Sequence, residues 1–270
     1  MTFRTYAEVT GADASGLAEQ VAGQRAQVRE RLRAVRRVVA VMSGKGGVGK
    51  SFVTAALAAR AAARWPDRVG VVDADLRSPT VARLLDAAGP LRITEAGVHP
   101  ATGPAPGGVR VMSTEFLLER GRPLAWREPG AERFVWRGAL ETGVLREFLG
   151  DVVWGELELL LVDLPPGADG VADLAALVPG LTGALAVTIP SDEARHSVAR
   201  ALRAAIEAGI RPIGVVENMA GHRCAGCGQT HPLFAGDAGA ALAAEFGIPL
   251  LARLPFGEGP DVEPIVEALA

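Results

Sequence analysis

Lysine is nearly absent from this chain: among its 28 lysines and arginines, only Lys45 and Lys50 are lysine. Cysteine is as scarce. The only two, Cys224 and Cys227, form a C-x-x-C, which excludes a disulfide framework and, in a reducing compartment, points to a metal or redox site. An excess of positive charge is missing too. With a formal net charge of −3, nothing in the whole chain pushes toward nucleic acid or an anionic membrane, and neither is expected as a partner. No apolar stretch reaches the length of a bilayer before Asp or Arg interrupts it, and Met1-Thr2-Phe3-Arg4 opens without an apolar signal core, so a cytoplasmic location is expected. Apolar residues still make up 49% of the 270, ample for a substantial core, and no linker argues for two domains beyond a tail and helix over 1–37 ahead of the body over 38–270.

The two lysines fall in one stretch, Met42-Ser43-Gly44-Lys45-Gly46-Gly47-Val48-Gly49-Lys50-Ser51, which has the G-x-x-x-x-G-K-[ST] spacing of a phosphate-binding loop. Four glycines in ten residues leave the main chain free of Cβ atoms, so successive N–H groups can turn inward on a polyphosphate at the start of the next helix. Lys50 would reach the β- and γ-phosphates of a nucleotide and Ser51 would ligate Mg2+. A compact ammonium fits inside a ring of amides where a planar guanidinium does not, so chemistry explains why lysine survives only here. The flanks agree. Val38-Val39-Ala40-Val41-Met42 is an unbroken apolar run, as in a parallel strand buried on both faces, and Phe52 to Arg64 is Ala-rich up to Trp65-Pro66-Asp67.

The rest of the chain repeats that alternation. Residues 1–14 are polar, and from Ser15 to Arg37 the residues Leu17, Val21, Val28, Leu32 and Val35 recur at helical spacing among many arginines. This reads as a basic amphipathic helix, either packed on the domain edge or offered to a partner. Val69 to Asp73 is a second buried strand that delivers Asp73-Ala74-Asp75 to the edge where ligands bind in open α/β sheets; a helix N-cap before Pro79 accounts for one aspartate, less readily for both. Gly89 to Gly108 reads as loop or short hairpin, Val109 to Met112 as a short strand, and Glu119 to Arg137, with Trp126-Arg127 and Trp136-Arg137, as a mobile surface excursion before a helix over Gly138 to Leu149. Glu158 to Asp163 is the third long buried strand. Asp163 at its end is the expected support for Mg2+, Gly167 is placed to offer an amide to the γ-phosphate, and Ala168-Asp169-Gly170 would be the switch that feels its loss. Further strands are expected over Ala184 to Ile189, Ile213 to Glu217 and Leu250 to Leu254, with helices over Asp192 to Ala208 and Asp237 to Phe246. The fold class is α/β, a mostly parallel sheet with helices on both faces. Asn218, after the strand ending at Glu217, has the donor and acceptor edges that suit a purine base, although Asn is also common in turns.

In the loop beyond it, Gly226 and Gly228 allow a tight turn between the thiols. Two ligands are half a site. Cys224 and Cys227 can join His222 and His231 around Zn2+, can cycle as a dithiol, or can meet the same pair of a second chain in a four-thiolate site on a two-fold axis.

Taken in order, Gly44 to Ser51, Asp73-Ala74-Asp75, Trp136-Arg137-Gly138, Asp163-Leu164-Pro165-Pro166-Gly167, Val216-Glu217-Asn218-Met219 and Cys224-Ala225-Gly226-Cys227-Gly228 resemble the Mrp/ApbC family of iron–sulfur cluster carrier ATPases, from about Val38 to Pro255. The resemblance implies a P-loop NTPase of the deviant Walker A (SIMIBI-type) class. It further implies a homodimer that binds ATP and Mg2+, hydrolyses ATP slowly, and carries a bridging four-iron, four-sulfur (4Fe-4S) cluster on Cys224 and Cys227 of both subunits. Apo iron–sulfur proteins and a scaffold protein would be its partners, and Zn2+ is the alternative occupant of the thiols. Lys45 corresponds to the signature lysine that reaches the other subunit's nucleotide, Asp75 would orient the attacking water, Asp73 and Asp163 would support Mg2+, and Asn218 would read adenine. Phe52 departs from the usual threonine and leaves only its backbone amide for the α-phosphate; Ala168-Asp169-Gly170 departs from the usual Thr-Gly-Asp. The competing expectation is a MinD/ParA-like switch whose ATP-driven dimer binds membrane or DNA, although Asp261 to Ala270 lack a basic amphipathic tail. An electron donor like the nitrogenase iron protein is a third.

Overall fold

A computed structural model describes residues 17–117, 133–224, 226–257 and 259–270. The polar residues 1–14 and Trp126-Arg127 lie outside them, and of Trp136-Arg137 only the main chain is described, so the expected mobile excursion falls largely outside the described residues.

The chain runs α1 (Leu17–Arg31), β1 (Val38–Ser43), α2 (Lys50–Arg64), β2 (Val69–Asp73), α3 (Val81–Leu84), β3 (Arg92–Thr94), β4 (Gly97–His99), β5 (Ala101–Gly103), β6 (Val109–Met112), a 3-10 turn (Thr114–Leu117), α4 (Arg133–Gly150) and β7 (Leu159–Asp163). It continues α5 (Asp169–Leu177), β8 (Gly183–Thr188), α6 (Asp192–Glu207), β9 (Pro212–Glu217), β10 (His222–Arg223), β11 (Thr230–His231), α7 (Ala238–Phe246), β12 (Leu250–Arg253) and α8 (Glu263–Ala268). Eight strands form one sheet in the order β12-β9-β8-β1-β7-β2-β6-β5, parallel throughout except where β5 pairs antiparallel with β6.

The apolar runs form this sheet because their alternate residues face two separate cores. Val38, Ala40 and Met42 of β1 and Leu160 and Val162 of β7 pack on one side with Val28 of α1, Leu149 of α4, Leu174 of α5 and Leu202 of α6. Val39, Val41, Leu159 and Leu161 face the other side, against Val53 and Leu57 of α2, Val81 of α3 and Ile265 of α8. Helices on both faces leave one free rim, the carboxyl ends of the parallel strands, where Ser43, Asp73, Asp163 and Glu217 end β1, β2, β7 and β9.

The expected helix from Ser15 to Arg37 is corrected at its C-terminal end. It closes at Arg31, because Val35 bridges to Leu157 and the Arg36 N–H donates to Leu157 O at 2.8 Å, drawing the chain into extended form before β1. It lies against α4: Val28 is 1% exposed, Gln27 Nε2 donates to Asp151 Oδ1 at 2.6 Å, and Arg31 donates from Nε to Gly150 O at 3.0 Å and from Nη2 to Ala96 O at 2.9 Å. No helix among the described residues is long and apolar enough to cross a membrane.

Candidate functional site: a phosphate loop beside a thiol hairpin

After Ser43 the main chain turns through two left-handed glycines, Gly47 at φ 81° and Gly49 at φ 79°, and enters α2 at Lys50. A side chain at either φ would be strained, and a Cβ on Gly49 would also overlap Asn218 Nδ2, so the loop geometry requires glycine twice. No acidic residue sits in the first turn of α2, which leaves its N-terminal amides electrostatically open to an anion.

A cavity of about 540 Å3 opens over the loop, lined on one side by Lys45 to Phe52 and on the other by Asp75, Ser78, Thr80, Arg83, Leu84 and Pro166. Beneath it lies the fully buried carboxylate of Asp163. Asp163 Oδ2 accepts from Lys50 Nζ at 2.6 Å and from Ser51 Oγ at 2.6 Å, while Oδ1 accepts from Thr54 Oγ1 at 2.6 Å. Because Ser51 gives its proton to Asp163, its oxygen keeps lone pairs for a cation, as a Mg2+ ligand requires. Thr54 has no part in the sequence reading, yet it stands four residues after Lys50 and therefore on the same face of α2, a spacing that could have found it.

Asp73 lies beside Asp163 in the β2–β7 register. Its Oδ2 accepts from the N–H groups of Thr80 at 3.0 Å and Val81 at 3.1 Å and from Ser113 Oγ at 3.3 Å, whereas Oδ1 is buried with no hydrogen-bond partner. Burial first, and the Asp163 charge second, push its carboxyl up to about 7. A native carboxylate whose affinity for protons exceeds that of the unfolded chain favours folding at low pH and loses that contribution as pH rises from about 4 through about 7. In EDTA, the urea midpoint should therefore fall between pH 5 and pH 8, and Asp73→Asn should flatten that slope; an equally steep slope in the variant would refute the assignment.

Three expected ligand residues are engaged within the protein. The Gly167 N–H, expected at the γ-phosphate, donates to Ser43 O at 2.9 Å. Asn218 is 3% exposed and its Nδ2 donates to Val48 O at 2.9 Å, so its amide braces the loop from behind, and reading adenine would require exchanging that bond. Asp75 lines the cavity while its Oδ1 accepts from the Ser78 N–H at 3.2 Å. Gly44 packs so closely on α6 that a Cβ there would overlap the main chain of Ser197 and Val198.

Four residues beyond Asn218, β10 and β11 form a small hairpin, with His222 opposite His231 and bridged on its other side to Phe256. Its tip closes through Cys224 N–H to Gln229 O and Gly228 N–H to Cys224 O, both 2.8 Å. Cys224 is half-buried and Cys227 exposed, both as free thiols. N–H donors of Cys227 and Gly226, then the Cys227 side chain, hold the Cys224 thiol below its ordinary pKa, which favours the thiolate that binds metal. Cys227 Sγ lies 3.9 Å from His231 Nε2. Among the described residues no three His, Cys, Asp or Glu side chains gather to hold a metal, so the Zn2+ arrangement with His222 and His231 is not assembled within the chain. The return from the hairpin packs on the start of α6, where a Cβ on Gly236 would stand 3.2 Å from Pro190 O.

The chain matches, over residues 34–262, a ParA family model described as a NUBPL iron-transfer P-loop NTPase. It is 38% identical over 239 residues to an iron–sulfur cluster carrier protein of Saccharolobus solfataricus, covering 88% of this chain and 77% of that one. It is 39% identical over 240 residues to the cytosolic Fe-S cluster assembly factor CFD1 of Chaetomium globosum, covering 83% and 75%. Among solved structures, a nucleotide-binding protein in complex with ADP from Archaeoglobus fulgidus superposes with a TM-score of 0.71 at 32% identity, covering 91% of this chain and 89% of that one. With its parallel sheet, its two-glycine loop and its thiol hairpin, the chain belongs to the P-loop NTPase family of iron–sulfur cluster carriers and assembly factors.

Proposed function

We propose that this protein is an ATP-hydrolysing homodimer that carries a 4Fe-4S cluster between the hairpins of its two subunits and delivers it to apo iron–sulfur proteins. The observation that carries the reading is the half-complete thiol site: Cys224 and Cys227 stand at an exposed hairpin tip, and among the described residues no group of three ligands forms there. A cubane takes four cysteine thiolates, which two copies of the hairpin supply.

At the nucleotide end, the loop amides of Gly44 to Phe52 and the N-terminus of α2 cradle the phosphates, and Lys50 adds a positive charge. Mg2+ would be held by Ser51, with Asp163 fixing the Ser51 proton and the partnerless Asp73 Oδ1 available to a water of the ion's shell. Bound there, the ion would neutralise charge on the outer phosphates. Asp75 and Lys45 line the same space; Asp75 would orient the attacking water, and Lys45 would reach the nucleotide of a second subunit. Asn218 and Gly167 keep the loop in shape, and release of the Gly167 N–H from Ser43 would free it for a γ-phosphate.

Given iron and sulfide anaerobically, the protein should turn brown and take up about one cluster per two chains. Cys224→Ala combined with Cys227→Ala should abolish uptake while leaving ATP binding intact. Cluster content unchanged in the double variant would refute the reading.

A further inference from the structure

The wall of the cavity that faces the loop is built by the segment after β2, and its electrostatics are unbalanced. It presents Asp75, with Asp73 and Asp163 buried behind it, to the cavity over the loop. Lys45 and Lys50 stand on the opposite, loop side. Among the described residues lining this wall, the cation is Arg83 of α3.

Its side chain is 70% exposed and only loosely engaged. Arg83 Nε stands 3.7 Å from Glu115 Oε1, and Nη2 lies 3.5 Å from Pro79 O, both at the outer limit of such contacts. A guanidinium has five N–H donors, so most of its capacity stays open. Glu115 is fixed in turn: its N–H donates to Ser113 Oγ at 3.2 Å, and Ser113 Oγ donates to Asp73 Oδ2 at 3.3 Å. Its Oε2 is buried without a partner. Contacts therefore run from Asp73, at the cation end of the site, through Ser113 Oγ and the Glu115 main chain to the Glu115 side chain beside Arg83.

We propose that Arg83 is a nucleotide-binding residue that contacts the terminal phosphate of ATP, with Glu115 as the positioning residue that orients it. The assignment rests on the ATP-carrier reading above. Loop amides and the α2 N-terminus grip the inner phosphates, which a diphosphate also has; the segment carrying Asp75 and Arg83 is reached only by the third. Arg83 accordingly distinguishes ATP from ADP rather than adding to the grip on both.

The test is equilibrium binding of ATPγS and of ADP, each with Mg2+, to the full chain. Arg83→Ala should weaken ATPγS about tenfold, the loss expected for one charge-assisted phosphate contact, while ADP stays within about twofold. Arg83→Lys should recover part of the loss, because the charge returns without the planar fork, and Glu115→Gln should cause a smaller loss for ATPγS alone. Unchanged affinities in Arg83→Ala, or equal weakening of both nucleotides, would overturn the assignment while leaving the carrier reading in place. If the unaltered chain binds neither nucleotide, the carrier reading fails and the assignment falls with it.

Discussion

Replacing Asp163 by alanine is expected to lower the unfolding free energy by about 3 kcal/mol, since removing one partner of a buried ion pair leaves the other charge uncompensated. The Lys50 side chain is 6% exposed and Asp163 is fully buried, so their 2.6 Å contact is screened little by solvent. The same substitution removes the acceptor of Ser51 Oγ and Thr54 Oγ1, two hydroxyls that otherwise hold the start of α2 to the end of β7. Lys50→Ala should cost less, because Asp163 keeps both hydroxyl donors, yet it should abolish ATP binding. Urea unfolding of the two single variants and the double variant checks the ordering; a Lys50→Ala variant less stable than Asp163→Ala would contradict it.

Gly44→Ala should be the other severe substitution. The Cβ would be driven into the main chain of Ser197 and Val198, which cannot rotate away as a side-chain tip would. Either the loop lifts from α6 or α6 shifts along the sheet, and overpacking of this kind costs about 1–3 kcal/mol, occasionally more. Because Lys45 is the next residue, nucleotide affinity should fall together with stability. Gly46→Ala is the internal control for packing alone: its Cβ would meet only Pro166 Cγ, at 4.0 Å, and its φ is not positive. Thermal unfolding should separate the two sharply, and equal stability of the two variants would show that the packing of Gly44 on α6 is not tight.

The elements legible in the sequence were those with one physical cause. Val38 to Met42, Val69 to Asp73 and Glu158 to Asp163 are unbroken apolar runs because both faces of each strand are covered, and the strands lie within a residue of those bounds. The end of α1 was not legible: Arg33 to Arg37 has no helix breaker, and the chain leaves the helix because Leu157, distant in sequence, pairs with Val35 and Arg36. The phosphate loop could be read because its glycines and its two lysines have few other uses. What composition could not convey is which polar groups serve the protein itself. Only the structure shows that the Asn218 amide also holds Val48 O, and that β2 buries Asp73 while the following loop leaves Asp75 half-buried at the cavity.

The helix that starts after Ser191 is clasped twice. Its side meets the phosphate loop where Ser197 abuts Gly44, and Pro190, just ahead of its N-cap, abuts Gly236 in the loop that follows the hairpin. Main-chain atoms cannot rotate aside as a side-chain tip can, so any approach of the loop toward Ser197 has to be taken up by the helix itself.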